Sequence, residues 1–402
     1  MNERLDALQP YPFERLRTLL GTLDPGTERA LIRLSIGEPK HPAPDFVLDA
    51  LADRDLLRDS LGRYPATRGL PELRQALASW LSGRYTCTVD AEQQVLPVAG
   101  TREALFAVAQ ALLPTERRGL VRLPNPFYQI YEGAALLAGA AIAFYDGDGL
   151  ETTGPAALGR LTADDWQQTD LLYLCSPGNP SGAVWSTTDL ERLAQLAQEH
   201  NFIVLADECY SEIYRATAPT GLLRAAVAAG YPDFDRCLVF NSLSKRSNLP
   251  GLRSGLVAGD AELLERFLRY RTYQGCALPV HTQIVSALAW GEETHVEANR
   301  ERYRHKLAAA AEGLEPLGDW RAPPAGFCFW LPVSLFGFAD DEDFARTALG
   351  EQQLEVLPGR YLARPGVDGQ NPGVGRVRVA WVAPEADCAE AGRRLLALRR
   401  SG

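Results

Sequence analysis

The segment richest in chemistry is Asn241-Ser-Leu-Ser-Lys-Arg-Ser-Asn-Leu-Pro-Gly-Leu-Arg253-Ser-Gly255. Lys245 follows an apolar run and is preceded by Ser242 and Ser244, and Arg253 comes eight residues later between Gly251 and Gly255. A lysine at the carboxyl end of a buried strand is poorly hydrated, so its pKa falls and its neutral amine can form a Schiff base. The serine hydroxyls and the planar arginine fork suit a phosphate dianion. An amine for an aldehyde beside a cradle for a phosphate points to pyridoxal 5′-phosphate. The plainer alternative is a surface loop with a solvated lysine.

Other segments weaken that alternative. Phe202-Ile-Val-Leu-Ala-Asp207-Glu-Cys-Tyr210 reads as a buried strand ending in a carboxylate. An ionised Asp207 would keep a pyridine nitrogen protonated and make the ring an electron sink, and Tyr210 could donate to the cofactor's phenolate oxygen. Glu208 competes for Asp207's place by one register, and a turn carboxylate is the simpler account. In Cys175-Ser-Pro-Gly-Asn-Pro-Ser-Gly182, Asn179 sits on a backbone constrained by its neighbours, and its amide could reach the same phenolate. Val98-Ala-Gly100-Thr101-Arg102 closes a strand and opens a helix, where free N–H groups, a close approach at glycine and a hydroxyl suit a phosphate. No GxGxxG loop occurs, which weighs against a nicotinamide dehydrogenase. Tyr128, in Pro124-Asn-Pro-Phe-Tyr128, could stack on a pyridine ring, although core packing is the commoner use of an aromatic. In Gly375-Arg376-Val-Arg378-Val-Ala-Trp381 the period of two puts Arg376 and Arg378 on one face. A substrate carboxylate or a structural ion pair would satisfy such an arginine.

These residues need elements to hold them. Apolar runs at 95–99, 119–123, 140–145, 171–175, 202–206, 237–241 and 255–259 are mostly continuous, as in strands buried on both faces. Helical patterns separate them at 101–113, 127–137 and 188–200, the last opening on the capping-box sequence Thr188-Asp-Leu-Glu191. Such alternation predicts an α/β fold with a mostly parallel sheet and a ligand at the strands' carboxyl ends. After residue 260 helices dominate to about Leu317. Aromatic β-rich runs follow at 326–331, 354–357 and 376–382, then a Gly/Pro-rich loop at 363–375 and a helix over 384–398, which reads as a separate α+β domain.

Composition agrees. The 402 residues carry 41 Lys+Arg against 51 Asp+Glu, a net charge of −10, and 46% are hydrophobic, which excludes disorder and argues against nucleic acid as a partner. No apolar run is long enough to span a bilayer, and the charged N-terminus does not read as a signal peptide. The seven scattered cysteines form no CxxC pair, so free thiols in a reducing cytoplasm are expected, with no metal site.

In this order, the residues resemble the fold-type I pyridoxal-phosphate aminotransferases of class I, from Ser35-Ile-Gly-Glu-Pro39 to the last helix. The resemblance implies a large domain (45–275) with a seven-stranded, mostly parallel sheet between helices. It also implies a small α+β domain (276–402) to which residues 1–44 contribute. Lys245 would be the Schiff-base lysine, Asp207 the partner of the pyridine nitrogen, Asn179 and Tyr210 the binders of the phenolate oxygen, and Tyr128 the stacking ring. Gly100, Thr101, Ser242, Ser244 and Arg253 would hold the phosphate, with Arg102 beside them. Tyr64, in Arg63-Tyr-Pro65, matches a tyrosine that reaches the phosphate from a partner subunit, so a homodimer is implied. Gly37 and Arg378 match the binders of the substrate α-carboxylate, with Arg376 as the alternative register.

Leu8-Gln-Pro-Tyr-Pro-Phe13, Gly100-Thr-Arg-Glu-Ala-Leu-Phe106, Asn125-Pro-Phe-Tyr-Gln-Ile-Tyr-Glu132 and Arg271-Thr-Tyr-Gln-Gly-Cys276 are similar to the proteobacterial succinyldiaminopimelate aminotransferases of lysine and meso-diaminopimelate synthesis. Phe327-Cys-Phe-Trp330 and Ala66-Thr-Arg68 depart from that pattern. The resemblance implies a ping-pong exchange between glutamate and N-succinyl-2-amino-6-oxopimelate, with Lys40, Arg102 and Arg246 as candidate cations for the distal carboxylates. Competing expectations are a class I aminotransferase for aspartate, alanine or aromatic amino acids, and a pyridoxal-phosphate C–S lyase. A third, a cofactor-sensing regulator, would need a DNA-binding domain ahead of Ser35.

Overall fold

The computed structural model describes residues 1–21, 29–146, 161–318 and 320–400. Its strands, in chain order, are β1 Ile32–Arg33, β2 Val95–Val98, β3 Leu120–Asn125, β4 Ala141–Asp146, β5 Leu171–Cys175, β6 Ile203–Asp207, β7 Cys237–Ser242, β8 Gly255–Gly259, β9 Cys328–Pro332, β10 Leu354–Glu355, β11 Leu357–Pro358 and β12 Arg376–Ala380. Strands β2 to β8 form one seven-stranded sheet in the order β2-β8-β7-β6-β5-β3-β4. Only β8 runs against its neighbours; the other six are parallel, as the sequence predicts.

The continuous apolar runs are explained by layers on both faces. Alternate residues of one strand enter different cores: Leu172, Leu174, Val204 and Ala206 pack with one set of helices, and Leu171, Tyr173 and Leu205 with the other. Each fully buried leucine or valine side chain stabilises the sheet by about 1.5–3 kcal/mol relative to exposure. Parallel strands end together, so β2, β3, β5, β6 and β7 bring Gly100, Tyr128, Asn179, Asp207 and Lys245 to one edge of the sheet.

The helix predicted at 188–200 is Thr187–His200, with Leu190, Leu193, Ala194 and Ala197 buried. Its cap differs from the sequence reading. Ser186, not Thr188, accepts the Asp189 N–H, at 3.2 Å, because the helix begins before the Thr188–Glu191 pattern does. Thr187 instead meets the Thr220 hydroxyl at 2.7 Å.

A further core lies on β9 and β12 of an antiparallel sheet in the order β11-β12-β9. The run expected at 354–357 is two short strands with different partners: β10 pairs with β1 and β11 with β12. The long helix Thr294–Leu314 packs on Glu385–Leu396 through Gly313 and Gly392, where a Cβ on Gly313 would come within 2.9 Å of the facing backbone. The helix Pro12–Leu20 buries Leu16 and Leu20 in a cluster with Trp330, Leu357, Tyr361 and Leu362. Chain segments from both ends therefore close over the sheet edge. Among the described residues no helix is long and apolar enough to cross a membrane.

Candidate active site

The sheet edge opens on a cavity of about 560 Å³. Lys245, Asp207, Tyr210, Asn179, Tyr128, Thr101, Arg102, Ser242, Ser244, Arg253, Gly37 and Arg378 all line it. Residues spread over more than 340 positions are thus brought together.

Strand β7 delivers the lysine. Ser242 ends the strand and caps the short helix Leu243–Arg246, accepting the Ser244 N–H at 2.9 Å. Lys245 Nζ donates to the Gly37 carbonyl at 2.6 Å and lies 5.4 Å from the Phe327 ring centre. Burial disfavours the ammonium and brings its pKa down from an ordinary 10.5 to about 8. The amine therefore becomes a usable nucleophile and base near neutral pH.

Asp207 closes β6 and is buried. Its Oδ2 accepts the Tyr131 hydroxyl at 2.7 Å, and its Oδ1 accepts the Cys209 N–H at 3.2 Å. Burial pushes its pKa up, while these donors and Lys245 pull it down. Glu208, the alternative by one register, does not line the cavity: it accepts the Leu222 N–H at 2.7 Å, and burial raises its pKa to about 7.

At the other end of the lysine's neighbourhood, Gly100 adopts φ +86°, and a Cβ there would stand 2.3 Å from Arg253 Nη2. Only glycine lets the guanidinium come so close. Gly100 precedes the helix Thr101–Leu112 and supplies no side-chain cap, so that helix start keeps N–H groups for an anion. Arg253 Nη1 donates to the Pro250 carbonyl at 3.0 Å. Thr101, Ser242 and Ser244 complete a hydroxyl-rich, cationic corner.

On the opposite wall, β12 presents Arg378. Its Nη2 donates to the Ser35 carbonyl at 2.7 Å and its Nη1 to Asn179 Oδ1 at 3.1 Å, while its Nε is buried and meets no hydrogen-bond partner among the described residues. An arginine so held, with a donor still unmet, is suited to a carboxylate. Tyr210 packs edge-on against Phe327, with ring centres 5.2 Å apart.

Several sequence candidates stand elsewhere. Arg376 and Lys40 do not line the cavity, and Lys40 is exposed. Tyr64 is fully exposed. Arg246 is a correction: it is wholly buried, pairs with Glu293 and lies 5.2 and 4.9 Å from the Trp80 and Trp290 ring centres. On so short a helix it faces the core when Lys245 faces the cavity.

The sequence reading passed over residues as well. Tyr131, Cys209, Tyr11 and Phe13 line the cavity, and Cys209 Sγ lies 3.1 Å from Thr101 Oγ1. Tyr131 follows Tyr128 by three residues, a helical spacing that could have marked it. Tyr11 and Phe13 fall in the family-like motif Leu8–Phe13 but carry no role in it by spacing, and they reach the cavity through the packing of the N-terminal helix.

The donor set fits pyridoxal phosphate: a cationic cradle that a Cβ would fill, a buried carboxylate, a lysine of lowered pKa and an aromatic ring around one cavity. Comparison with known proteins agrees. Residues 29–395 match the aminotransferase class I and II family. An aminotransferase of known structure from Neisseria meningitidis is 44% identical, with a TM-score of 0.92 and 100% of both chains covered. The 4-dedimethylamino-4-oxo-anhydrotetracycline transaminase OxyQ of Streptomyces rimosus is 36% identical over 91% of this chain and 93% of its own. The structure of N-succinyldiaminopimelate aminotransferase from Mycobacterium tuberculosis is 25% identical, with a TM-score of 0.84 over 98% of this chain and 99% of that one. The chain thus belongs to the class I and II aminotransferases, whose cofactor is pyridoxal phosphate.

Proposed function

We propose that this aminotransferase exchanges an amino group between L-glutamate and N-succinyl-2-amino-6-oxopimelate, giving 2-oxoglutarate and N-succinyl-LL-2,6-diaminopimelate in lysine and meso-diaminopimelate synthesis. The observation that carries the reading is a cavity with cations at two stations. Arg378 is buried in one wall, and Arg102, exposed, lines the cavity 5.5 Å from the Tyr11 ring centre. A substrate with an α-carboxylate and a distant second carboxylate meets one cation at each end. The motifs shared with succinyldiaminopimelate aminotransferases, and the 25% identity to the Mycobacterium tuberculosis enzyme, support the same substrate.

Bound pyridoxal phosphate supplies the electron sink. The chain's own groups do the rest. Lys245 Nζ takes the proton from the substrate Cα and delivers it again, as a base of lowered pKa can. Asp207 would hold the ring nitrogen's proton, Asn179 and Tyr210 would bind the phenolate oxygen, and Tyr128 would stack on the ring. Gly100, Thr101, Ser242, Ser244 and Arg253 would hold the phosphate, with Arg102 beside them and turned to the distal carboxylate. Gly37 and Arg378 orient the substrate α-carboxylate. In this reading residues 45–275 carry the cofactor, and 1–44 with 276–402 carry the substrate wall. Tyr64, free of its own chain's cavity, completes the phosphate site of a second copy in a homodimer.

The test is a single-turnover experiment that follows the visible absorbance of the bound cofactor. Fast conversion by N-succinyl-LL-2,6-diaminopimelate and glutamate, with slow conversion by aspartate, alanine and aromatic amino acids, is expected. Preference for any of the latter overturns the substrate. Arg102→Ala should raise KM for the succinylated substrate by about 3–10-fold and for glutamate by less.

A further inference from the structure

We propose that Tyr131 is a positioning residue for Asp207, its phenol holding the carboxylate in the orientation and charge state that keep the cofactor's ring nitrogen protonated. The inference rests on Asp207 being the partner of that nitrogen, but not on the identity of the substrate.

Tyr131 is completely buried, and its hydroxyl donates to Asp207 Oδ2 at 2.7 Å. Its ring cannot turn away. It stacks on Tyr173 with centres 4.6 Å apart and planes at 14°, and the Tyr128 ring meets it edge-on at 5.7 Å. Tyr173 is anchored in turn, donating to the Leu105 carbonyl at 2.6 Å, on the helix that begins at Thr101. A tyrosine serving only as core filler needs no such aim.

The physical need is clear. A carboxylate this buried tends to take up a proton. Cys175, Cys209, Tyr128, Tyr210 and Glu208 are the other titratable groups around Asp207, and Lys245 supplies the opposing positive charge. A protonated Asp207 could not stabilise a ring N–H. Donors favour the charged form, and two are present: Tyr131 on one oxygen and the Cys209 N–H on the other. Burial pushes the Tyr131 phenol's own pKa far up, so its proton stays available as a donor.

The experiment loads the intact enzyme with pyridoxal phosphate carrying 15N at the ring nitrogen and records its chemical shift across the neutral pH range. Tyr131→Phe keeps the stacked ring and removes the donor. Its resonance should move from the pyridinium position toward neutral pyridine, and proton abstraction from the substrate should slow by roughly 10–100-fold, the worth of one hydrogen bond to a charged group. Tyr131→His, which returns an N–H donor, should lie closer to wild type; equal displacement of the two variants overturns the proposal. So does a wild-type shift in Tyr131→Phe while Asp207→Asn is displaced. A wild-type shift in Asp207→Asn overturns the Asp207 assignment itself, and the two failures are thereby told apart.

Discussion

The cavity has two walls of different origin. The wall proposed to hold the cofactor is made of residues at the carboxyl ends of parallel strands of the large sheet: Gly100–Thr101 after β2, Asn179 after β5, Asp207 at the end of β6, and Ser242–Lys245 at and after β7. The wall proposed to meet the substrate is assembled from Tyr11 and Phe13, from Ile36 and Gly37, and from Leu362 and Arg378. The first wall is a property of one mostly parallel sheet. The second exists only because β1 pairs with β10 and the N-terminal helix packs on Trp330 and Tyr361. A sheet edge gives a rigid, generic place for a cofactor, whereas segments docked over it can vary to select the substrate.

Substitutions should separate the walls. The largest effect is on the cofactor side: Lys245→Ala should lower turnover by at least about 10²–10⁴-fold with every amino donor, measured as kcat. Across the cavity, Arg378→Leu should reduce kcat/KM for both substrates by about 100-fold, while the cofactor's absorbance and affinity stay near wild type. Loss of cofactor in that variant would show that the walls are not independent. Gly100→Ala should do the reverse. The backbone at φ +86° and the Arg253 guanidinium oppose a Cβ, so cofactor affinity by equilibrium dialysis should drop about 10-fold, with kcat at saturating cofactor little changed.

The smallest effect is on stability. In the cofactor-free protein Lys245 has a pKa of about 8, below its ordinary 10.5. Between these values the unfolded chain binds more protons than the folded one, so stability from this group rises with pH across that window. Below about 8 the penalty for burying the ammonium is fully present, and above 10.5 it is gone. Urea midpoints at either end of the window should differ more for wild type than for Lys245→Met. An equal pH response of the two would show that Lys245 is not the source.

Much of the cofactor wall was legible before any fold was known, since Lys245 with its serines and Arg253 lie within one short segment, and Asp207 ends an uninterrupted apolar strand. Register was harder. Asp207 and Glu208 differ by one pleat, and only the helix beginning at Leu222, whose N–H engages Glu208, shows which carboxylate turns inward. Arg246 was misread for a similar reason: beside Lys245 in sequence, it faces the Trp80–Trp290 pair.

By itself the sequence determined the periodicity of the strands, the order of the motifs and the types of reactive group, because these depend on neighbours a few residues apart. The tertiary structure alone decided that Tyr131 donates to Asp207, that Arg378 shares its fork between Asn179 and Ser35, and that Tyr11 reaches the cavity. Those contacts join residues 76 to 343 positions apart. The physical reason is that such pairs are selected by packing of separate layers, and no short-range spacing in the chain encodes which faces meet.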